Sequence, residues 1–195
     1  MKRDIVLGGV GGQGILTIAA TIGTAAVNNG LFLKQSEVHG MSQRGGDVMS
    51  NIRISSNVVY SDLIAEGTAD LIIGVEPMEA LRHFKMLKND GWLITNQKPF
   101  INIKNYPELD DVLEQVKALK NHIIIDADSI AKDLGSVKAA NIVMLGAGIP
   151  FIGLDVKMLE DALGVLFGRK GQDVVDLNIK ALHAGLDVAN EVMNK

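Results

Sequence analysis

The sequence predicts an α/β protein: three layers, α/β/α, around a mixed and mostly parallel sheet, with a Rossmann-like N-terminal half and a helical C-terminal third. Three observations predict it. Ile5-Val6-Leu7 is an apolar run of strand type that feeds a glycine-rich loop and then a helix-length apolar segment, Ile15 to Val27. Strand-type runs at Phe32 to Ser36, Ala69 to Val75, Trp92 to Asn96 and Ile123 to Asp126 then alternate with helical patterns. From Ser129 onward the strand signals stop.

In the first helix Leu16, Ala19, Ala20, Gly23 and Val27 recur at helical spacing, and Asn28-Asn29-Gly30 supplies residues that tolerate the left-handed C-cap conformation. Val48 to Ser55 reads as a strand. The polar pair Ser56-Asn57 and the run Val58 to Ser61 predict that it turns back into an antiparallel hairpin, which makes the sheet mixed. Pro77 suits the first turn of a helix carrying Ala80, Leu81, Phe84 and Leu87. Asn89-Asp90-Gly91 reads as a turn, and Glu108 to Leu119 as an amphipathic helix. Asp128 or Ser129, then Ser136, then Asp155 are the expected caps of three further helices. The second of these gives way near Gly146 to Pro150, and a closing helix runs from about Asp173 to Met193. With no linker or repeat, residues 1–195 are expected to form one domain.

Composition narrows the function. The formal net charge is −4 and the basic residues are scattered, which disfavours nucleic acid as a partner. There is no cysteine, so the chain can hold no thiolate-ligated iron–sulfur cluster and no cysteine nucleophile; the same absence fits a reducing cytoplasm. Asp4, Gln13 and the glycines interrupt what would otherwise resemble a signal peptide or a membrane span, so neither is expected.

The chemistry gathers in two glycine-rich loops. Gly8-Gly9-Val10-Gly11-Gly12-Gln13-Gly14 lies between strand and helix, where unpaired N–H groups and the helix dipole suit an anion such as a phosphate. Gly9-x-Gly11-x-x-Gly14 has the form of a dinucleotide fingerprint, with Glu37 at about the distance of a ribose contact, so a stand-alone dinucleotide-binding protein is an alternative reading. The second loop, Ser36-Glu37-Val38-His39-Gly40-Met41-Ser42-Gln43-Arg44-Gly45-Gly46, concentrates Glu37, His39, Gln43 and Arg44 between glycines. Glu37 and His39 face the same side if the strand continues that far, and Arg44 offers a forked donor for a carboxylate or phosphate. No metal-ligand spacing is recognisable. His83 is expected on an exposed helix face, His122 at a strand entry, and His183 at a surface or interface.

Both loops together, with Gly74-Val75-Glu76-Pro77-Met78-Glu79-Ala80-Leu81-Arg82 and a weaker Asn178, Ala181, Gly185 pattern, resemble the small (beta) subunits of indolepyruvate:ferredoxin oxidoreductases. These are equivalent to the gamma domain of the 2-oxoacid:ferredoxin oxidoreductases. The resemblance implies a subunit that binds no cofactor alone. A large (alpha) partner holds thiamine diphosphate and [4Fe-4S] clusters, coenzyme A is a co-substrate at the interface, and electrons pass to ferredoxin. The reaction implied converts an arylpyruvate to an arylacetyl-CoA and CO2, with pyruvate, 2-oxoisovalerate or 2-oxoglutarate as alternative 2-oxoacids. It also implies that Gly9, Gly11, Gly12, Gln13, Gly14, Gly45 and Gly46 face a cofactor or co-substrate, with Glu37, His39, Gln43 and Arg44 supporting catalysis. Without its partner such a subunit would expose an apolar patch, through which a homodimer of the isolated chain is possible.

Overall fold

The computed structural model describes residues 1–40, 45–101 and 103–194. One six-stranded sheet organises the chain, in the order β2-β3-β1-β4-β5-β6. The strands are β1 (Lys2–Val10), β2 (Phe32–His39), β3 (Asp47–Ser55), β4 (Ala69–Gly74), β5 (Leu87–Asn96) and β6 (His122–Ile125). β1, β4, β5 and β6 pair in parallel, whereas β3 is antiparallel to both neighbours, β1 and β2. β2 therefore runs in the β1 direction, and the sheet is mixed and mostly parallel as expected.

Alternate residues of the central strands serve different layers. Ile5, Leu7, Leu71 and Ile73 join a large core with α1 (Ile15–Asn28), α5 (Ala140–Ile152), α6 (Val156–Phe167) and α7 (Gln172–Met193). Val6, Ile72 and Leu93 join a smaller core with Ala80 of α2 (Pro77–Arg82) and Val116 of α3 (Leu109–Lys117). The short α4 (Ala127–Asp133) follows β6. Two helical layers thus enclose the sheet, the thicker one built by the C-terminal third.

Several local expectations need correction. The antiparallel hairpin exists, but β2 and β3 form it around the second glycine loop, one strand earlier than read from the sequence. Residues 58–61 form no strand. The reason lies in Arg53, whose guanidinium pairs with buried Asp4 (2.9 and 3.1 Å) and donates to the carbonyls of Ser61 (3.2 Å) and Leu63 (2.9 Å). Those carbonyls serve as a cap over the face of β3, so the segment crosses the sheet without joining it.

Asn89-Asp90-Gly91 lies inside β5, at a register shift against β4, and not in a turn. A Cβ on Gly91 would come within 2.6 Å of the Leu87 side chain and 3.0 Å of the Ala69 carbonyl oxygen, so the glycine permits close backbone approach. α2 stops at Arg82, and Leu87 opens β5. α5 continues through Gly146 and Pro150 to Ile152. Its Gly146 is a contact point and not a breaker, since a Cβ there would lie 2.0 Å from the Leu182 carbonyl oxygen on α7. Asp126, not Asp128 or Ser129, caps α4 by accepting from Ser129 N (3.0 Å), whereas Asp155 caps α6 as expected through Lys157 N (2.8 Å). Ser136 precedes a 3-10 turn (Val137–Ala139) without a side-chain cap bond.

Candidate functional site

The first glycine loop leaves the carboxyl end of β1 and opens α1. Gln13 N donates to Val10 O (3.1 Å) to close the turn, and Gly12 (φ 103°) and Gly14 (φ 81°) occupy backbone regions that side chains disfavour. Gly14 is the N-cap; its carbonyl accepts from Thr17 N (3.0 Å) and Ile18 N (3.3 Å), and no side chain caps the helix from this position. The first turn also lacks an acidic residue. The N–H groups and positive end of α1 are thereby left for an external anion.

The predicted loop residues divide by what they touch. Gln13 Oε1 accepts from Val10 N (2.8 Å) and its Nε2 donates to Val75 O (3.4 Å), so its amide ties β1 to β4. Gly9 allows helix and strand to close on each other: a Cβ there would lie 2.3 Å from Val75 Cγ2 and 2.8 Å from Ile15 Cδ1. Gly12 faces open space. The second loop is joined to the first through Gly11 N to Gly46 O (2.9 Å) and Gly45 N to Gly11 O (3.5 Å). β2 does extend to His39, so Glu37 and His39 share a face, and with Gly11, Gly12, Leu16 and Val48 they border a cleft of about 440 Å3. Gln43 and Arg44 lie outside the described residues.

On the other side of the first loop is a larger cleft of about 840 Å3, at the carboxyl ends of the parallel strands. Gly12, Gln13, Gly14 and Thr17 line one part of it, and Lys138 of the 3-10 turn and Asn141 of the first turn of α5 line the adjoining part. α5 continues from the 3-10 turn Val137–Ala139, whose Val137 carbonyl accepts from Ala140 N, so the open helix N-terminus here is that of α1. Lys170 and the buried Asn178 come from the C-terminal helices, and Phe100, Met144 and Phe167 supply apolar surface. Among the described residues no carboxylate pairs with Lys138 or Lys170; Lys170 Nζ sits 5.1 Å over the Phe167 ring. The cleft's own carboxylate, Asp128, is engaged by Lys98 (3.3 Å) and by Asn96 Nδ2 (2.7 Å). The N-terminus of α1, two ammonium groups without a carboxylate partner among the described residues and an apolar wall suit a phosphorylated ligand with an apolar portion.

Sequence reasoning singled out the Gly12-Gln13-Gly14 stretch and Asn178 but missed that they share a cleft with Lys138, Asn141 and Lys170, because the lining comes from widely separated segments of the chain.

Beneath the loops, α2 carries a buried polar group. Glu76 is fully buried and accepts from Glu79 N (2.8 Å), Phe100 N (3.4 Å) and the Tyr106 hydroxyl. Burial, and then the Glu76 carboxylate, push the Tyr106 phenol well above its ordinary pKa. Burial likewise pushes the Glu79 carboxyl up, opposed by its ion pair with Arg82 (2.8 Å). His83 is buried, contrary to the exposed position expected, and its Nε2 has no partner among the described residues. It packs where Gly8 lacks a side chain, since a Cβ there would lie 2.8 Å from His83 Cδ2. Burial, and then neighbouring Arg82, hold its pKa below the ordinary value. His122 does enter β6, and His183 on α7 meets Glu160 of α6 at 2.6 Å.

Among the described residues no group of three or more His, Asp or Glu could hold a metal ion, and no helix is long and apolar enough to cross a membrane. The chain is 36% identical over 203 residues to the indolepyruvate oxidoreductase subunit IorB of Pyrococcus horikoshii, covering 99% of this chain and 98% of that one. It is 38% identical over 198 residues to the IorB subunit of Archaeoglobus fulgidus, covering 97% and 96%. Its fold matches a 2-oxoglutarate:ferredoxin oxidoreductase from Magnetococcus marinus, solved with 2-oxoglutarate, coenzyme A and succinyl-CoA, at a TM-score of 0.75 and 22% identity. That match spans 97% of this chain but 31% of the other. The family model for pyruvate ferredoxin/flavodoxin oxidoreductases matches residues 4–188, and the chain belongs to that family.

Proposed function

We propose that this chain is the small subunit of an indolepyruvate (arylpyruvate):ferredoxin oxidoreductase. The observation that carries the reading is the near full-length identity of 36–38% to subunits of indolepyruvate oxidoreductase. In this reading residues 1–195 act as one gamma-type domain beside a large subunit in the cytoplasm. That partner holds thiamine diphosphate and the [4Fe-4S] clusters, which supply decarboxylation and electron transfer to ferredoxin. This chain's donor set does not fit a cluster, since it has no cysteine.

The contribution of the chain's own residues is to bind and orient coenzyme A. The first-turn N–H groups of α1 and the ammonium groups of Lys138 and Lys170 meet its phosphates, while Phe100, Met144 and Phe167 receive apolar parts of the molecule. Glu37 and His39 sit on the opposite side of the same loop, facing the partner's active site, where Gln43 and Arg44 orient substrate or a partner carboxylate. The domain shields that site from water.

The test is co-purification with the large subunit, followed by assays of CoA-dependent reduction of ferredoxin with indolepyruvate, phenylpyruvate, pyruvate, 2-oxoisovalerate and 2-oxoglutarate. The reading expects the highest kcat/KM for an aryl substrate and no activity from this chain alone. Preference for a small or dicarboxylic 2-oxoacid would reassign the substrate. A thermal shift of the isolated chain with NAD or FAD, but none of the complex with coenzyme A, would favour a dinucleotide in the Glu37 cleft instead.

A further inference from the structure

We infer that Asn141 is a positioning residue for the first glycine loop: from the first turn of α5 it fixes the N-terminus of α1 in the orientation that receives the anion. This inference rests on the proposed binding of coenzyme A in the larger cleft. Its geometry is independent of that reading. Asn141 Nδ2 donates to Gly14 O at 3.1 Å, a bond that joins positions 127 residues apart. Gly14 is the N-cap of α1, and its carbonyl already receives Thr17 N and Ile18 N. The Asn141 bond is therefore a third one to the group that starts the helix.

Contact between the two residues is close. A Cβ on Gly14 would lie 2.5 Å from Asn141 Nδ2 and 3.0 Å from its Cγ, so the amide rests on the bare Cα of the loop. Gly14 has φ 81° and no side chain with which to cap α1, and Asn141 supplies from another helix the local restraint that this N-terminus lacks. Both residues line the larger cleft. An Asn–Gly14 bond that is lost leaves the loop tied on the β4 side by Gln13 and free to tilt on the α5 side. A tilted N-terminus points its N–H groups away from the ligand, so the loss falls on binding and not on the chemical steps in the partner.

The experiment compares the reconstituted complex carrying Asn141→Ala, Asn141→Asp or Lys170→Glu with wild type, measuring CoA KM, kcat at saturating CoA and Tm. Asn141→Asp keeps the shape of the side chain, so it remains informative if the alanine variant folds poorly. It replaces the donor by an acceptor facing the Gly14 carbonyl. The inference expects CoA KM to rise about threefold to tenfold in Asn141→Ala, the equivalent of one hydrogen bond. It expects a larger rise in Asn141→Asp, and kcat within twofold for both. If Lys170→Glu raises CoA KM while both Asn141 variants leave it unchanged, the positioning role is overturned and the CoA site stands. If none of the three changes KM, the CoA reading fails as well. A fall in kcat that tracks a fall in Tm, at constant KM, would make Asn141 a structural residue only and also overturn the inference.

Discussion

Replacing Gly185 by alanine tests the packing that builds the larger cleft. Gly185 lies where α7 crosses α5, and a Cβ there would come 1.9 Å from the Val143 carbonyl oxygen, 2.8 Å from Ala147 N and 2.9 Å from Val143 C. All three are backbone atoms of a helix, so no side-chain rotation relieves the overlap. An ordinary contact needs about 3.4 Å, so the helices must part by about 1.5 Å at the crossing. Separation of that size forfeits more than half of the dispersion well for each contact it opens, and overpacking of this kind costs roughly 1–3 kcal/mol or more. The gain in helix propensity, about 1 kcal/mol, offsets part of this. A clash of 1.9 Å with backbone puts the cost at the upper end of that range or above it, so a net loss of about 2 kcal/mol is expected. For a chain of this size that is a Tm lower by about 4–8 °C. Gly164→Ala on α6 is the control. No atom lies within 4 Å of its Cβ position, so only the propensity gain operates and the Tm should rise slightly. Differential scanning calorimetry of the three purified chains decides it. A Gly185→Ala Tm within 2 °C of wild type, or the same sign of shift for both variants, would refute the reasoning.

Three further outcomes follow. The His83 imidazole is held below its ordinary pKa of 6.5, so the unfolded state binds more protons as pH falls below about 6.5 and stability is lost over that range. Urea unfolding between pH 7 and 5.5 should show that loss in wild type and a flatter profile in His83→Leu, whereas parallel profiles would contradict the assignment. Tyr106→Phe removes one of the three donors to the buried Glu76 carboxylate among the described residues and should lower stability by about 1–3 kcal/mol. Equal urea midpoints for that variant and wild type would show that water replaces the phenol. Gly9→Ala should raise CoA KM as well as lower Tm, because the Cβ pushes on Ile15 of α1 and on Val75; a change in Tm alone would detach the packing of Gly9 from the loop's function.

How far the sequence revealed the fold depends on the range of the forces involved. The α/β alternation, the glycine loop before α1 and the cap of Asp155 are local patterns, and the structure has them where they were expected. The hairpin misreading came from long-range chemistry: Arg53 takes the carbonyls of Ser61 and Leu63 because Asp4, 49 positions away, holds its guanidinium over the sheet. Gly146 and Gly91 looked like breakers because sequence alone does not show which backbone presses on a glycine. His83 looked exposed by helical spacing, but α2 ends one residue earlier and Gly8 opens a space for the ring. For the site, the contact of the two glycine loops and the shared face of Glu37 and His39 were legible. The larger cleft was not, because Lys138, Asn141, Lys170 and Asn178 converge only through the α5–α7 crossing.

The central claim is that coenzyme A phosphates lie among the first glycine loop, Lys138 and Lys170. The most direct test is equilibrium titration of coenzyme A into the complex containing wild-type chain or the Lys138→Glu, Lys170→Glu double variant. At about 6 Å in a water-like dielectric, reversing one charge against a phosphate is worth roughly tenfold in affinity. The account predicts a Kd at least tenfold higher for the double variant at low salt, with a shallower salt dependence. An unchanged Kd in a correctly assembled complex would contradict it.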